Sequence, residues 1–286
     1  MINIIYTILL FNILIIGFKM FQKYKVDNLQ ALIANYLTGA VCSYLFLETT
    51  FSLDYILQVS WIYHAIIIGT LFFIVFNLYS FGIQKVGISI TTVANKMSLI
   101  IPVGAALLLY PKSNTFDLLK GVAFFLAIIG IYLSSTTGGK LNFNKKYLWL
   151  IVLVFIGQGI SDAIFNDFAQ KFPEEGSYLF FMVLFFFASI TGILILLGQS
   201  ITSKKPLQLK NLFWGVIFGV PNFFSLVFFL KALEDPNISS AEVFPLVSMG
   251  VVVSSSVIGL LIFKEKLTQN NWIGILLSIC AIYLFS

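Results

Sequence analysis

Ten apolar runs, each near twenty residues long, follow one another along the chain with only short polar separators. They cover residues 3–21, 29–47, 60–82, 88–110, 117–135, 147–168, 177–198, 211–231, 239–263 and 270–286. About 20 apolar residues cross the hydrocarbon core of a bilayer as a helix, so such a chain has length for ten crossings and little else. The runs are continuously apolar, whereas barrel strands alternate over about ten residues, and helices are therefore expected. Composition closes other routes. Hydrophobic residues are 59% of the chain and charged residues 10%, against roughly 45–50% and about 25% in a soluble domain. With 31 Phe and only two Cys, disorder and a disulfide scaffold are also excluded. The expected fold is an all-α integral membrane protein of ten transmembrane helices.

The first run opens with Met1-Ile2-Asn3, has no basic leader, and is followed by Lys19, Lys23 and Lys25 rather than a small-residue cleavage site. It is read as a retained helix. All 17 basic residues are Lys. They sit at the ends of apolar runs, so the basic balance reflects membrane topology and not nucleic-acid binding. Twelve follow odd-numbered helices: Lys19, Lys23, Lys25, Lys85, Lys140, Lys145, Lys146, Lys204, Lys205, Lys210, Lys264 and Lys266. Only Lys112, Lys120, Lys171 and Lys231 lie on the other side, where Glu48, Asp54, Asp117, Asp167, Glu174, Glu175, Glu234 and Asp235 gather. The positive-inside rule then places both termini outside the cytoplasm, with a bacterial inner membrane as the expected location. Cys42 and Cys280 lie within apolar runs and read as small core residues.

The halves of the chain resemble each other. Phe18-Lys19-Met20-Phe21 matches Phe165-Asn166-Asp167-Phe168 at an offset of 147. Gly69 matches Gly219, and Ile88-Ser89 matches Ile238-Ser239, at an offset of 150; Gly121 matches Gly274 at 153. Two five-helix repeats, 1–139 and 140–286, are expected. Five is odd, so the second enters the membrane from the opposite side and the repeats are inverted, an arrangement that recurs in secondary transporters.

The stretch 241–284 carries a family likeness: Ala241-Glu242-Val243-Phe244-Pro245, then Phe263-Lys264-Glu265-Lys266-Leu267-Thr268, then Trp272-Ile273-Gly274 and Ala281-Ile282-Tyr283-Leu284. This resembles the drug/metabolite transporter superfamily, specifically the ten-helix EamA-type members. Two positions depart from the family pattern: Lys264 stands for the usual Gly before Glu265, and Lys112 lies where the first repeat often has Glu. The family is usually described with cytoplasmic termini, whereas the Lys distribution here points the other way. The resemblance implies a central cavity lined by helices one, three, four, six, eight and nine.

Charge within hydrocarbon costs about 2.5–3.5 kcal/mol on insertion scales, so charged residues inside spans are site candidates. Lys96 lies in the fourth run with Asn95, Thr92, Ser98 and Pro102, as a binding cation for an anionic group or as a structural or snorkelling Lys. Asp162 lies in the sixth run between Gln158 and Asn166, each four residues away on one stripe. A carboxyl at that depth is a candidate for proton coupling or for holding an amine, or else a member of an interhelical network. Glu242 opens the ninth run, with Met249 and Ser256 on its face, as a cavity-mouth acid or a helix-dipole partner. The third run carries Thr70, Asn77 and Gln84 at seven-residue steps with Tyr79 and Ser80 nearby, as a cavity lining or as interhelical glue. Asn12 and Asn222 are weaker versions of the same case. Pro102, Pro221 and Pro245 fall inside spans and are hinge candidates or static kinks.

His64, the single His, has no acid or Cys partner in sequence and reads as an interfacial residue, not a metal ligand. Gly138-Gly139 reads as a flexible connector, and the sequon Asn237-Ile238-Ser239 is discounted because it abuts a helix start. No phosphate loop, nucleophile constellation or paired-carboxylate motif appears, so neither enzyme nor cofactor is expected. The expected function is secondary active transport, as an exporter, of a small organic metabolite by alternating access, with protons as a possible coupling ion. A channel-like facilitator is the alternative, and a membrane scaffold or intramembrane enzyme stands behind it. The expected partners are the metabolite and the bilayer, as monomer or homodimer, without nucleic acid.

Overall fold

A computed structural model describes residues 1–47, 52–85, 88–112, 117–135, 145–173, 177–202, 206–263 and 268–285. Glu48, Glu174, Glu175, Lys264, Lys266 and the Gly138-Gly139 connector lie outside them, as do the side chains of Gln84, Thr92 and Ser256. The described residues form helices and no strand. In chain order these are α1 (Ile2–Lys23), α2 (Asn28–Leu45), α3 (Leu53–Gln58), α4 (Ile62–Lys85), α5 (Ile88–Met97), α6 (Ile100–Leu109), α7 (Leu118–Ser135), α8 (Leu148–Lys171), α9 (Ser177–Thr202), α10 (Leu209–Leu233), α11 (Ser240–Phe263) and α12 (Gln269–Phe285). Segments within α4, α8, α9 and α10 are each long and apolar enough to cross a bilayer unaided, and shorter apolar helices accompany them.

Two features depart from the sequence reading. The six-residue α3 lies between the second and third runs, started by Ser52, whose hydroxyl accepts the Tyr55 N–H at 3.1 Å. The run 88–110 is two helices, not one. Pro102 offers no N–H to the Ser98 carbonyl four residues back. That carbonyl takes the Ile101 N–H instead, at 2.9 Å. The Ser98 hydroxyl meanwhile donates to the Asn95 carbonyl at 2.6 Å. The α-helical ladder is interrupted at Ser98-Leu99, and Pro102 falls in the first turn of α6, where a missing donor is tolerated. Pro221 and Pro245, by contrast, lie inside continuous helices.

Two ends follow from the helix order. End A holds the start of α1, the approach to α4, the α6–α7 and α10–α11 connections and the end of α8. End B holds the α1–α2 connection, the end of α7 and the starts of α8 and α10. The packing is paired: α2 lies on α9, α7 on α12 and α6 on α11. Helix α10 packs on α2 as α4 packs on α9, and α1 packs on α10 and α11 as α8 packs on α4 and α6. The close approaches are set by glycine. A Cβ at Gly69 would collide with the Leu184 carbonyl of α9, and one at Gly219 would stand 2.7 Å from the Asn35 carbonyl of α2.

The core is dominated by fully buried aromatics, including Tyr36, Phe73, Phe165, Phe168, Phe180, Phe181, Phe185 and Phe223. Large apolar side chains also cover the outside, with Leu108, Leu118, Leu209 and Tyr283 more than four-fifths exposed. That exterior suits lipid rather than water. Cys280 belongs to it: it is exposed, and Cys42 is only half-buried. Cys42 packs against the core, and the expectation of a core residue is corrected for Cys280 alone, because the outer face of a bilayer helix is as apolar as its core.

Candidate functional site

A cluster of the candidate residues lies beside the break between α5 and α6. Lys96 sits in the last turn of α5, where the helix dipole favours a cation. Beside it, Asn95 Nδ2 donates to Gln158 Oε1 at 3.0 Å. Gln158 Nε2 in turn donates to Asp162 Oδ1 at 2.9 Å. The chain of amides crosses from α5 to α8 and ends on a carboxylate whose charge acts on that of Lys96. The Lys96 ammonium has no hydrogen-bond acceptor among the described residues and lies 5.9 Å from the centroid of the Phe11 ring of α1. A cation over an aromatic face is held electrostatically yet keeps its N–H groups for a ligand. Asn12, next to Phe11, donates to Ser254 of α11 at 2.7 Å, and its Oδ1 is buried without a partner. Asn166, on the Asp162 stripe, likewise has a buried Oδ1 without a partner.

The structure brings Asn95, Gln158 and Asp162 into one hydrogen-bonded chain beside Lys96. Four other candidates are not part of that chain. Asn222 of α10 donates to Asn35 of α2 at 2.7 Å in a buried pair, so it ties α10 to α2. Asn77 donates back to the Phe73 carbonyl at 3.0 Å. It lines a cavity of about 610 Å³ at end B, with Asn28, Ser80, Gln199 and Gln208. Tyr79 is half-buried on α4. Glu242 is ion-paired with Lys120 of α7 at 2.5 Å. Both border a second cavity, of about 570 Å³, at end A, with Lys112, Gln170 and Asp235. There the Asn237 N–H donates to Asp235 and holds that carboxyl below its ordinary range. The physical reason is common to all four. A seven-residue step or a shared run places residues on one face, but which helix that face meets is a tertiary matter.

His64 is the largest correction. It has an acid partner after all: its Nε2 lies 2.9 Å from Asp167 Oδ2. Lys171 Nζ donates to the same oxygen at 2.9 Å, and the Tyr110 hydroxyl donates to Asp167 Oδ1. His64 Nδ1 is buried without a partner. The sequence signal available was the four-residue spacing of Asp167 and Lys171 on one helix face; nothing local announced His64 or Tyr110. Phe11 was missed because one Phe among many carries no mark. Among the described residues, no group of three or more His, Cys, Asp or Glu is placed to hold a metal.

A protein of Haemophilus influenzae without an assigned function is 29% identical over 98% of this chain and 96% of its own. A Latilactobacillus sakei protein provisionally named for ribose uptake, RbsU, is 23% identical over 59% of this chain and 56% of its own. A solved crystal structure superposes with a TM-score of 0.75, covering 99% of this chain and 96% of its own at 11% identity, a likeness of fold alone. The model of the EamA-like transporter family matches residues 144–286. The chain, with its apolar exterior, is accordingly a multi-pass membrane transporter, and it belongs to the EamA-like transporter family.

Proposed function

We propose that the chain is a secondary active transporter that exports a small organic metabolite by alternating access. In this reading α5 and α6 together make one crossing, giving ten, and residues 1–139 and 140–286 are inverted five-helix repeats. The paired packing supports it: α2 with α9, α7 with α12 and α6 with α11 would each straddle the pseudo-two-fold axis. Gly69 and Gly219, matched in sequence, each press a backbone onto the second helix of the other repeat.

The observation that carries the proposal is the Lys96–Asn95–Gln158–Asp162 cluster at an interrupted helix. Interrupted helices in transporters free backbone and dipole ends for a ligand near the midplane. Lys96 would take an anionic group of the substrate, and Asp162 would exchange a proton or hold a cationic group. Gln158 and Asn95 hold Asp162 in place. The test is a thermal-shift screen of purified protein against a metabolite library, with pentoses included on account of the RbsU relative. Hits then go into proteoliposomes with and without a proton gradient. The expected result is a ligand that stabilises the protein and is moved across the bilayer faster when the gradient is present. Ligand-independent leak of many solutes would instead favour a channel.

The topology has its own test. Most of the Lys follow odd-numbered helices in the sequence, so the separators there are expected in the cytoplasm and end A outside. A reporter joined after Ser286 should be active only outside the cytoplasm, and one inserted at Gly138-Gly139 only inside. The opposite pattern overturns this orientation.

A further inference from the structure

We infer that two aromatic plugs related by the repeat are the gates of this transporter, and that Asp167 latches only one of them. The inference rests on the alternating-access reading and extends it to named elements.

The matched motifs Phe18-x-x-Phe21 and Phe165-x-x-Phe168 lie near the ends of α1 and α8, the first helices of their repeats. At end A, Phe168 stacks on Phe180 of α9 with centroids 3.6 Å apart, and Trp61 meets both edge-on at 6.4 and 5.8 Å. Phe165 stacks on Phe229 of α10 at 5.6 Å. At end B, Phe21 meets Phe218 and Trp214 of α10 edge-on at 5.7 and 6.2 Å, and Phe18 stacks on Phe76 of α4 at 6.0 Å. The likeness runs to single positions. The offset of 150 that pairs Gly69 with Gly219 also pairs His64 with Trp214. His64 lies 6.4 Å from the Phe168 ring as Trp214 lies 6.2 Å from that of Phe21. The Phe168–Phe180, Phe165–Phe229 and Phe18–Phe76 stacks lie within one repeat. The contacts of Trp61 and His64 with Phe168, and of Trp214 and Phe218 with Phe21, each join the first helix of one repeat to the third helix of the other or the residue before it. Those are the elements that must part if the repeats rock about a central site.

The two plugs differ in the polar groups beside them. At end B the position matching Asp167 is Met20, the one matching Lys171 is Tyr24, and the one matching His64 is Trp214. At end A these are a carboxylate, an ammonium and an imidazole, joined by the Tyr110 hydroxyl from the far end of α6. Asp167 therefore accepts hydrogen bonds from two other segments, α4 through His64 and the end of α6 through Tyr110, in addition to the one from Lys171 of its own helix and the aromatic contacts. Opening end A breaks charge-assisted hydrogen bonds, each stronger than a neutral one. End B carries polar contacts of its own: Lys210 of α10 donates to the Tyr24 carbonyl, and the Asp27 N–H donates to Asn211 Oδ1 at 3.1 Å. The Asp167 latch therefore acts on the closure of end A and leaves the contacts of end B untouched.

The test uses spin-label distances in the full-length protein in nanodiscs, with Cys42 and Cys280 replaced by Ala. One pair, Ser60→Cys with Pro173→Cys, spans α4 and α8 at end A; the other, Lys23→Cys with Leu209→Cys, spans α1 and α10 at end B. Asp167→Asn should add a longer-distance population to the end A pair and leave the end B pair unchanged. Trp214→Ala should do the reverse. His64→Gln keeps a donor toward Asp167 and should retain most of the original end A distribution, while Tyr110→Phe, which removes one hydrogen bond, should give an intermediate one. If Asp167→Asn shifts neither pair, or shifts both alike, the latch is refuted, and a mere loss of thermal stability with unchanged distances refutes it equally. Distances that respond as expected in a protein that moves no solute would retain the gates and refute the transport reading alone.

Discussion

Lys96→Met should abolish transport while leaving a folded protein. The Lys96 ammonium has no acceptor among the described residues, so its removal breaks no hydrogen bond in the unliganded state; it withdraws the charge from the Phe11 ring and from Asp162. Losing a desolvated charge partner costs about 3–5 kcal/mol, so the rate in proteoliposomes should fall by about 100-fold or more. Asp162→Asn should lose coupling to the proton gradient and keep gradient-independent exchange of the same ligand. A double variant separates function from scaffolding. If Lys96 and Asp162 only balance each other, Lys96→Met with Asp162→Leu should recover both stability and transport, because the uncompensated charge left by either single change is gone. If they bind and couple, the double variant should regain thermal stability and remain inactive. Full recovery of transport by the double variant would sink the site assignment.

Much of the fold was written in the sequence because hydrocarbon enforces it. Backbone groups in lipid must bond within their own segment, so a long apolar run can only be a helix, and α1, α2, α4 and α7 to α12 fall where the runs do. The division of the fourth run was legible in principle: Pro102 removes one donor, Ser98 diverts one acceptor, and together they open the ladder. The same logic made Lys96 and Asp162 stand out, since a charge in a span must have a reason to be there. Partners were not legible. Asn222 and Asp162 both sit mid-helix among Phe and Leu, yet one meets Asn35 of α2 and the other an amide chain from α5. His64 and Asp167 are 103 residues apart, and only the packing of α4 on α8 brings them together. Glu242 illustrates a middle case. Its place in the first turn of α11 was plain, but its Lys120 partner comes from α7.

The matched glycines give the second large effect. Gly69→Leu and Gly219→Leu should each prevent accumulation of a folded protein, and the milder Gly69→Ala and Gly219→Ala should each lower the melting temperature. A side chain at Gly69 has the Leu184 carbonyl and the Ala188 backbone nitrogen of α9 in its way, and at Gly219 it has the Asn35 carbonyl and the Thr38 Cβ of α2. These obstacles are mostly backbone, which cannot rotate aside, so α4 must retreat from α9, or α10 from α2. Overpacking of this kind costs about 1–3 kcal/mol for small insertions, and both contacts join the two halves of the chain. Small residues are what let membrane helices approach closely enough for van der Waals packing to hold them together. Gly104 and Gly198 supply the control. A Cβ at either meets nothing within 4 Å, so Gly104→Ala and Gly198→Ala should be neutral or, by favouring the helix, slightly stabilising. The comparison is read from the melting temperature of each purified variant in one detergent. Equal behaviour of all four Ala variants would mean that the α4–α9 and α2–α10 contacts do not set the stability of the bundle. A fall confined to Gly69 and Gly219, of similar size in both, is what two structurally equivalent half-to-half contacts require.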